Sequence, residues 1–386
     1  MKRAARRIRI LHIVGGMGRA GVETWLMHIL RHADHERFQM DFLVHTAQPC
    51  PYDDEVRALG GNIIPCLHPA RPLSYARNFR RALAAHGRYD IVHSHVHHYS
   101  GWVLRLARRA GVPVRIAHSH VDVMPQDVAP SLLRRTYLAI SKRWICCHAT
   151  IGLACSGVAA HALFGKAWRS DARLSLLYYG IDPEPFRADA NGSVKGELGL
   201  PANAFVIGHV GRFEEQKNHR FLLGIMREVV TAEPRTRLLL IGVGSLQPAI
   251  ERRAAELGLA SHVIFAGLRS DVPRVLRGAV DAFVMPSFYE GLSIAALEAQ
   301  AAGVPSLLAD TIAAEADVVP PLVKRLSLSQ PAGVWARALL AARTAPPVLS
   351  PAEALSAFER SRFNIRRSVA ELQQLYTSAS AVSISR

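Results

Sequence analysis

Short apolar, β-branched runs alternate with longer stretches of helical periodicity along nearly the whole chain, and the alternation runs twice. In the first half, strands are predicted over residues 8–14, 40–45, 62–66, 91–95, 114–118 and 150–155, with helices over 22–31, 74–85 and 99–110. Strands separated by helices form a parallel, doubly wound sheet. The rhythm pauses near 176–180, then at Tyr179-Gly180-Ile181-Asp182-Pro183-Glu184-Pro185 and the polar stretch through Asn191-Gly192, a composition expected of a domain boundary. It restarts with strands over 205–210, 237–241, 263–265, 282–285 and 304–308 and helices over 218–232, 247–257, 272–277 and 294–302. The last strand is expected to close the run, with residues 362–378 as a final helix.

The fold class expected is α/β, with two Rossmann-like doubly wound domains facing across a cleft. Its divisions are 1–185, 186–360 and a terminal helix in 361–386 packing back on the first domain. A chain of 386 residues suits two such cores. No apolar run approaches the ~20 residues that span a bilayer. The basic start, Met1-Lys2-Arg3, resembles the head of a signal peptide. The apolar run behind it is broken by Arg9 and His12 and passes into Gly15-Gly16, so it reads as a first strand. Five cysteines without a C-x-x-C spacing point to a reduced, cytoplasmic setting without structural zinc.

The formal charge of +16 asks for a polyanionic partner: nucleic acid, a membrane face or a phosphorylated substrate. Residues 1–190 hold 26 basic and 14 acidic side chains, against 21 and 17 in the remainder, so the excess belongs mainly to the first half.

Gly16-Met17-Gly18-Arg19-Ala20-Gly21 fits a dinucleotide-binding turn between strand and helix. The following strand ends in His45, not in the acid that would hold a ribose, which leaves a phosphate-binding turn or a plain tight turn. In the second half, Arg212 and Lys217 stand five apart on a strand-to-helix loop and are able to converge on a diphosphate; a solvated loop is the competing reading. Glu290 and Glu298 are eight apart, about 12 Å along a continuous helix. That exceeds the ~5–9.5 Å of paired glycosidase carboxylates and suits two anchor points on an elongated ligand. Glu298, among Ala and Leu, requires a partner such as ribose hydroxyls.

Fifteen of the 18 histidines precede residue 191, and His93, His95, His118 and His120 fall at predicted strand ends. Alternate residues share a strand face. Without H-E-x-x-H or a carboxylate at ligand spacing, polar cleft residues are the expectation rather than a metal site. Residues 131–147 mix Arg134, Arg135, Lys142 and Arg143 with Leu, Tyr and Trp, a pattern shared by membrane-surface helices and core helices with a basic outer face.

Taken together, His12-Ile13-Val14-Gly15-Gly16-Met17, Val92-His93-Ser94-His95, Arg115-Ile116-Ala117-His118-Ser119-His120, Tyr179-Gly180-Ile181-Asp182, Gly211-Arg212, Gln216-Lys217-Asn218-His219 and Pro286-Ser287 through Glu290-Gly291 to Glu298-Ala299 resemble the family 4 retaining glycosyltransferases of the GT-B fold, of the EpsF-like exopolysaccharide kind. The resemblance covers most of the chain. It implies transfer from a nucleotide-sugar, most commonly a UDP-sugar, to a lipid-linked or saccharide acceptor, without metal or other cofactor. The first domain would bind acceptor and the second donor. Arg212 and Lys217 would neutralise the leaving diphosphate, with Gly15, Gly16 and the amides of Gly291 and Leu292 adding to its site. Glu298 would hold the ribose and Glu290 the donor sugar. His118 or His120 would stand at the reacting centre, and His93 and His95 in the acceptor cleft. Peripheral contact with the inner face of the cytoplasmic membrane through the basic first domain, and no nucleic acid, complete the expectation. Ser293 departs from the family's proline and Tyr179 from its asparagine. A nucleotide-sugar epimerase and a non-catalytic relative share the architecture and remain the alternatives.

Overall fold

The computed structural model describes residues 6–120, 131–188 and 193–384. The start of the basic amino terminus and Asn191-Gly192 of the expected boundary lie outside them. Two compact units result, Met1–Gly180 with Ile365–Arg386, and Ile181–Asn364.

The first unit is built on strands β1 (Ile8–Val14), β2 (Phe38–Val44), β3 (Ile63–Pro65), β4 (Ile91–Ser94), β5 (Val114–Ser119), β6 (Ile151–Ala154) and β7 (Leu174–Leu176). Its helices before the crossing are α1 (Gly21–His32), α2 (Asp53–Ala58), α3 (Pro72–His86), α4 (Ser100–Arg109), α5 (Leu132–His148) and α6 (Gly157–Phe164). The sheet order is β3-β2-β1-β4-β5-β6-β7, with every ladder parallel.

The second unit carries β8 (Val206–Val210), β9 (Arg237–Ile241), β10 (Val263–Phe265), β11 (Ala282–Met285), β12 (Ser306–Ala309) and β13 (Val323–Leu326) in the order β10-β9-β8-β11-β12-β13. Around it lie α7 (Ser193–Glu197), α8 (His219–Ala232), α9 (Gln247–Glu256), α10 (Val272–Ala279), α11 (Ile294–Ala301), α12 (Ala332–Thr344) and α13 (Pro351–Arg360). The chain then returns to the first unit as α14 (Ile365–Ile384), which packs on α1, β1 and β5. Gly180 permits that return: a Cβ there would lie 2.6 Å from Ile365 Cα.

Central strands read as unbroken apolar runs because helices cover both faces. Leu238, Leu239, Leu240 and Ile241 of β9 are all buried, as are Ile10, Leu11, Ile13 and Val14 of β1. Two of the four edge strands, β7 and β13, escaped prediction because they lack such a run. β7 has three half-exposed or exposed residues, and β13 carries Lys324 and Arg325. Residues 304–308 therefore do not close the second sheet; β13 adds in parallel, with Ser306 opposite Val323.

Candidate functional site

In each sheet the strand order reverses once, between β1 and β4 and between β8 and β11. At such a switch point neighbouring loops diverge to opposite faces and leave a crevice at the carboxyl ends of the strands. The candidate residues fall at these two places.

In the second unit, the loop after β8 and the loop after β11 are tied together. Phe288 N donates to Gln216 O at 2.9 Å, Gln216 Nε2 donates to Tyr289 O at 2.8 Å, and Lys217 Nζ pairs with Glu290 Oε1 at 2.5 Å. Both side chains of that pair are largely buried. Lys217 lies over Gly211, where a Cβ would meet its Cε at 2.9 Å. Arg212 is exposed, and its guanidinium has no partner among the described residues. Lys217 and Glu290, expected at the diphosphate and the sugar separately, form one ion pair, and Arg212 on the same loop stays unpaired among the described residues.

The third loop, after β9, meets the first through glycines. Gly242 has φ +138°, and a Cβ on it would sit 2.2 Å from Gly211 O; one on Gly244 would sit 2.6 Å from Phe213 N and O. A side chain fits at neither position without moving backbone. Gly242→Ala is expected to cost at least ~2 kcal/mol, read as a lower midpoint of urea unfolding; an unshifted midpoint would show that these loops yield.

The glutamates are not on one continuous helix. Glu290 lies in the loop, bridged to Ile312, and α11 starts at Ile294 after Ser293, whose Oγ accepts from Ala296 N at 3.4 Å. Ser293, at the family's proline position, thus caps the helix. Gly291 and Leu292 are buried at this entry to α11. Glu298 is half-buried on α11, its carboxylate has no partner among the described residues, and burial pushes it up to about 8.

In the first unit, Gly15 and Gly16 follow β1. Gly15 O accepts from His45 N at 3.0 Å, and a Cβ on Gly16 would touch Thr46 and Cys50 at 3.0–3.1 Å. Cβ atoms on Gly18 and Gly21 would meet nothing within 4 Å. The ribose-binding acid of a dinucleotide site is absent here. His45 Nε2 bonds to Tyr75 Oη at 3.0 Å, while buried Asp41 is taken up by Tyr89, Asn62, Gln39 and Arg9.

Across the β1–β4 switch the histidines converge, and His12, which the sequence reading gave no role, joins them. Two chains of hydrogen bonds run through five buried imidazoles. In one, Tyr376 Oη contacts His93 Nδ1 at 2.7 Å, and His93 Nε2 contacts His118 Nδ1 at 3.1 Å. In the other, His12 Nδ1 meets His95 Nε2 at 3.0 Å, His95 Nδ1 meets His120 Nε2 at 2.8 Å, and His120 Nδ1 meets Tyr179 Oη at 2.5 Å. Tyr179, the second departure from the family pattern, therefore orients His120. Trp25 packs edge-on against His118 at 5.2 Å between centroids. Burial holds His12 and His120 down to about 3, and His93, His95 and His118 well below the usual imidazole range, so all five are neutral at pH 7. His12 was signalled by its place in the motif of β1 and as a polar residue in an apolar strand, whereas nothing local marked Tyr376 in α14.

α5 carries the basic stretch. Only Ser141 and Ile145 along it are buried, while Leu132, Leu133 and Ile140 are exposed beside Arg135, Lys142 and Arg143. One face of it packs on α4, with Ile145 in the core and Trp144 against Trp102, while Arg135, Lys142 and Arg143 stay exposed. Below it lies a mainly apolar cavity of about 270 Å³, lined by Ile145, Leu163, Phe164 and Leu174 among others, with Lys142 and Arg143 contributing to its wall.

Two family models match, "Glycosyl transferase 4-like domain" over residues 20–180 and "Glycosyl transferases group 1" over residues 204–339. The chain is 38% identical to the putative glycosyltransferase EpsF of Bacillus subtilis, over 87% of this chain and 88% of that one. It is 27% identical to the UDP-Gal:alpha-D-GlcNAc-diphosphoundecaprenol alpha-1,3-galactosyltransferase of Escherichia coli, over 80% and 81%. Among solved structures it resembles Anabaena HepE in complex with UDP and glucose, with TM-score 0.80, 17% identity and 96% and 100% of the two chains covered. It also resembles sucrose-phosphate synthase of Thermosynechococcus elongatus, with TM-score 0.74, 20% identity and 97% and 100% covered.

Proposed function

The chain belonging to the family 4 glycosyltransferases, we propose that it moves a sugar from a nucleotide-diphosphate donor, a UDP-sugar foremost, to a lipid-linked or saccharide acceptor in cell-surface polysaccharide synthesis, with retention at the anomeric carbon. The observation that carries this reading is the Lys217–Glu290 pair at the β8–β11 switch point, with Arg212 uncommitted on the same loop. The Escherichia coli relative is named for UDP-Gal and a diphosphoundecaprenol acceptor, and HepE was solved with UDP and glucose. The first supports the donor and acceptor classes, the second the UDP donor alone.

Breaking a sugar–phosphate bond develops negative charge on the departing diphosphate. Cations already in place stabilise that charge more than they stabilise the intact donor. Arg212 supplies a fork for two oxygens, and Lys217, held by Glu290, a point charge. Helix α11 brings its amino-terminal dipole and the Gly291-Leu292 backbone to the same loops. Glu290 meets the donor sugar while steadying Lys217, and Glu298 holds the ribose hydroxyls. Gly15 and Gly16 leave backbone room for the diphosphate. Neutral His118 and His120, backed by His93 and His95, present imidazole nitrogens that donate to or accept from a sugar hydroxyl without adding charge. This scheme assigns the neutralising role at the diphosphate to side chains, so it needs no metal there.

The test is to incubate the purified chain with nucleotide-sugars and an undecaprenyl-diphosphate saccharide. A glycoside with the donor's anomeric configuration is expected. Released, isomerised sugar would favour an epimerase, and no turnover of any donor would overturn the reading.

We further propose peripheral membrane contact through α5. No helix among the described residues is long and apolar enough to cross a membrane. α5 instead offers exposed leucines among cations and has no acidic residue from Leu132 to His148, which suits lying in the interface. Lys142→Glu with Arg143→Glu should lower sedimentation with phosphatidylglycerol vesicles at least ~10-fold, at about 1 kcal/mol for each basic side chain. Equal binding of both proteins would refute this contact.

A further inference from the structure

The histidines that the transfer scheme sets beside the sugar are grouped more tightly than that role requires. One ligand nitrogen from each of His95, His118 and His120 lies within 4.8 Å of the other two. The remaining nitrogens are held in a particular way. His118 Nδ1 is tied to His93 Nε2 at 3.1 Å, and His93 in turn to Tyr376 Oη at 2.7 Å. His120 Nδ1 is tied to Tyr179 Oη at 2.5 Å. Metal-ligating imidazoles are held like this: one nitrogen binds the ion, and the other bonds to an outer partner that fixes ring and tautomer.

The nitrogens that would face the ion are marked out too. His118 Nε2 is fully buried and has no hydrogen-bond partner among the described residues. His95 Nδ1 and His120 Nε2 face one another at 2.8 Å. Three nitrogens at ~2.0–2.1 Å from a tetrahedral ion stand about 3.3 Å apart, so an ion replaces that one hydrogen bond with an opening of about 0.5 Å. An ion in the alternative trio, His12, His93 and His95, would displace two hydrogen bonds, one of His93 and one of His95, against one in this trio.

We propose that His95, His118 and His120 form a binding site for a zinc-class divalent ion, with Tyr179, His93 and Tyr376 as its outer shell. Imidazole-only ligation selects zinc, copper, nickel or cobalt over magnesium and calcium. Three protein ligands leave a fourth position for water or a hydroxyl. The proposal rests on the first unit alone and does not depend on the transferase reading.

The test uses the full purified chain, stripped with chelator and titrated with Co²⁺ as an optical probe and Zn²⁺ as competitor. One Co²⁺ per chain is expected, with the visible absorption of a four-coordinate nitrogen site, abolished by Zn²⁺, and a raised melting temperature. His95→Ala and His118→Ala should each weaken Co²⁺ binding at least ~10-fold, and Tyr179→Phe about 10-fold. His161→Ala, on an exposed histidine of α6, should change nothing. If the alanine variants fail to fold, the wild-type spectrum and stoichiometry decide. No saturable Co²⁺ site, a six-coordinate spectrum, or unchanged binding in folded His95→Ala and His118→Ala would each overturn the proposal. Because no readout involves sugar transfer, its failure would leave the transferase reading untouched.

Discussion

Arg212→Ala is expected to lower kcat for sugar transfer by about 10²–10³-fold, the scale of losing one preorganised charge-stabilising group, while leaving folding stability within ~0.5 kcal/mol. Arg212 is exposed and holds no partner among the described residues, so none of their contacts depends on it. Lys217→Ala should cost a similar factor in kcat and also destabilise the protein, because it strands the Glu290 carboxylate against the loop where it was paired at 2.5 Å. Breaking one side of a largely buried pair costs up to ~3–5 kcal/mol. Adding Glu290→Gln should restore most of the stability and none of the rate. Kinetics with chemical denaturation of the two single variants and the double variant read this separation directly. Should Arg212→Ala keep full activity, or should Glu290→Gln in the Lys217→Ala background restore the rate, the assignment of these cations to the diphosphate would be wrong.

The second large effect belongs to Glu298. Its carboxyl is raised to about 8 by burial, and no partner among the described residues offsets this. The unfolded chain ionises it near the ordinary glutamate value of about 4.3. Between roughly pH 4.5 and 8 the folded protein therefore holds a proton that the unfolded chain releases. Stability falls as pH rises through this window and levels off above it. Glu298→Gln should match wild type near pH 4 and exceed it by about 1–3 kcal/mol at pH 8, the full shift being discounted for partial exposure.

A nucleotide whose ribose hydroxyls donate to this carboxyl favours its ionised form. Binding at pH 7 should then release up to about one proton, and donor affinity should rise toward pH 8. Glu298→Ala should weaken nucleotide binding about 10–100-fold, the range for hydrogen bonds to a charged group. Calorimetry in buffers of different ionisation enthalpy reads both. Binding without proton release, and with unchanged affinity in the alanine variant, would remove Glu298 from the ribose.

Strand–helix periodicity is a local property, and it was legible wherever burial was complete. β1, β9, β10 and β11 were predicted to the residue because apolar side chains dominate each of them. β7 and β13 were not, because they are short edge strands, partly exposed and interrupted by polar residues. The short helix α2 was also passed over.

Site residues divided along the same line. Residue type and loop position singled out Arg212, Lys217, Glu290 and Glu298, since a glycine-bounded loop between strand and helix is where charge has an unusual use. Their mutual relations are contacts across tens of residues, which no local pattern encodes. Lys217 and Glu290 are 73 apart, and His95 and His120 are 25 apart.

The sequence by itself determined two doubly wound parallel sheets, the loops bearing the charged groups and a basic first half. The alternation of apolar and helical periods allows few other ways to bury both faces of each strand. Only the tertiary structure decided that Lys217 is already paired, that Glu298 has no partner among the described residues, and that five histidines form one neutral cluster in which Tyr179 aims His120. Those facts depend on which strands lie side by side. Sheet order is set by packing over the whole unit rather than by any segment of the chain.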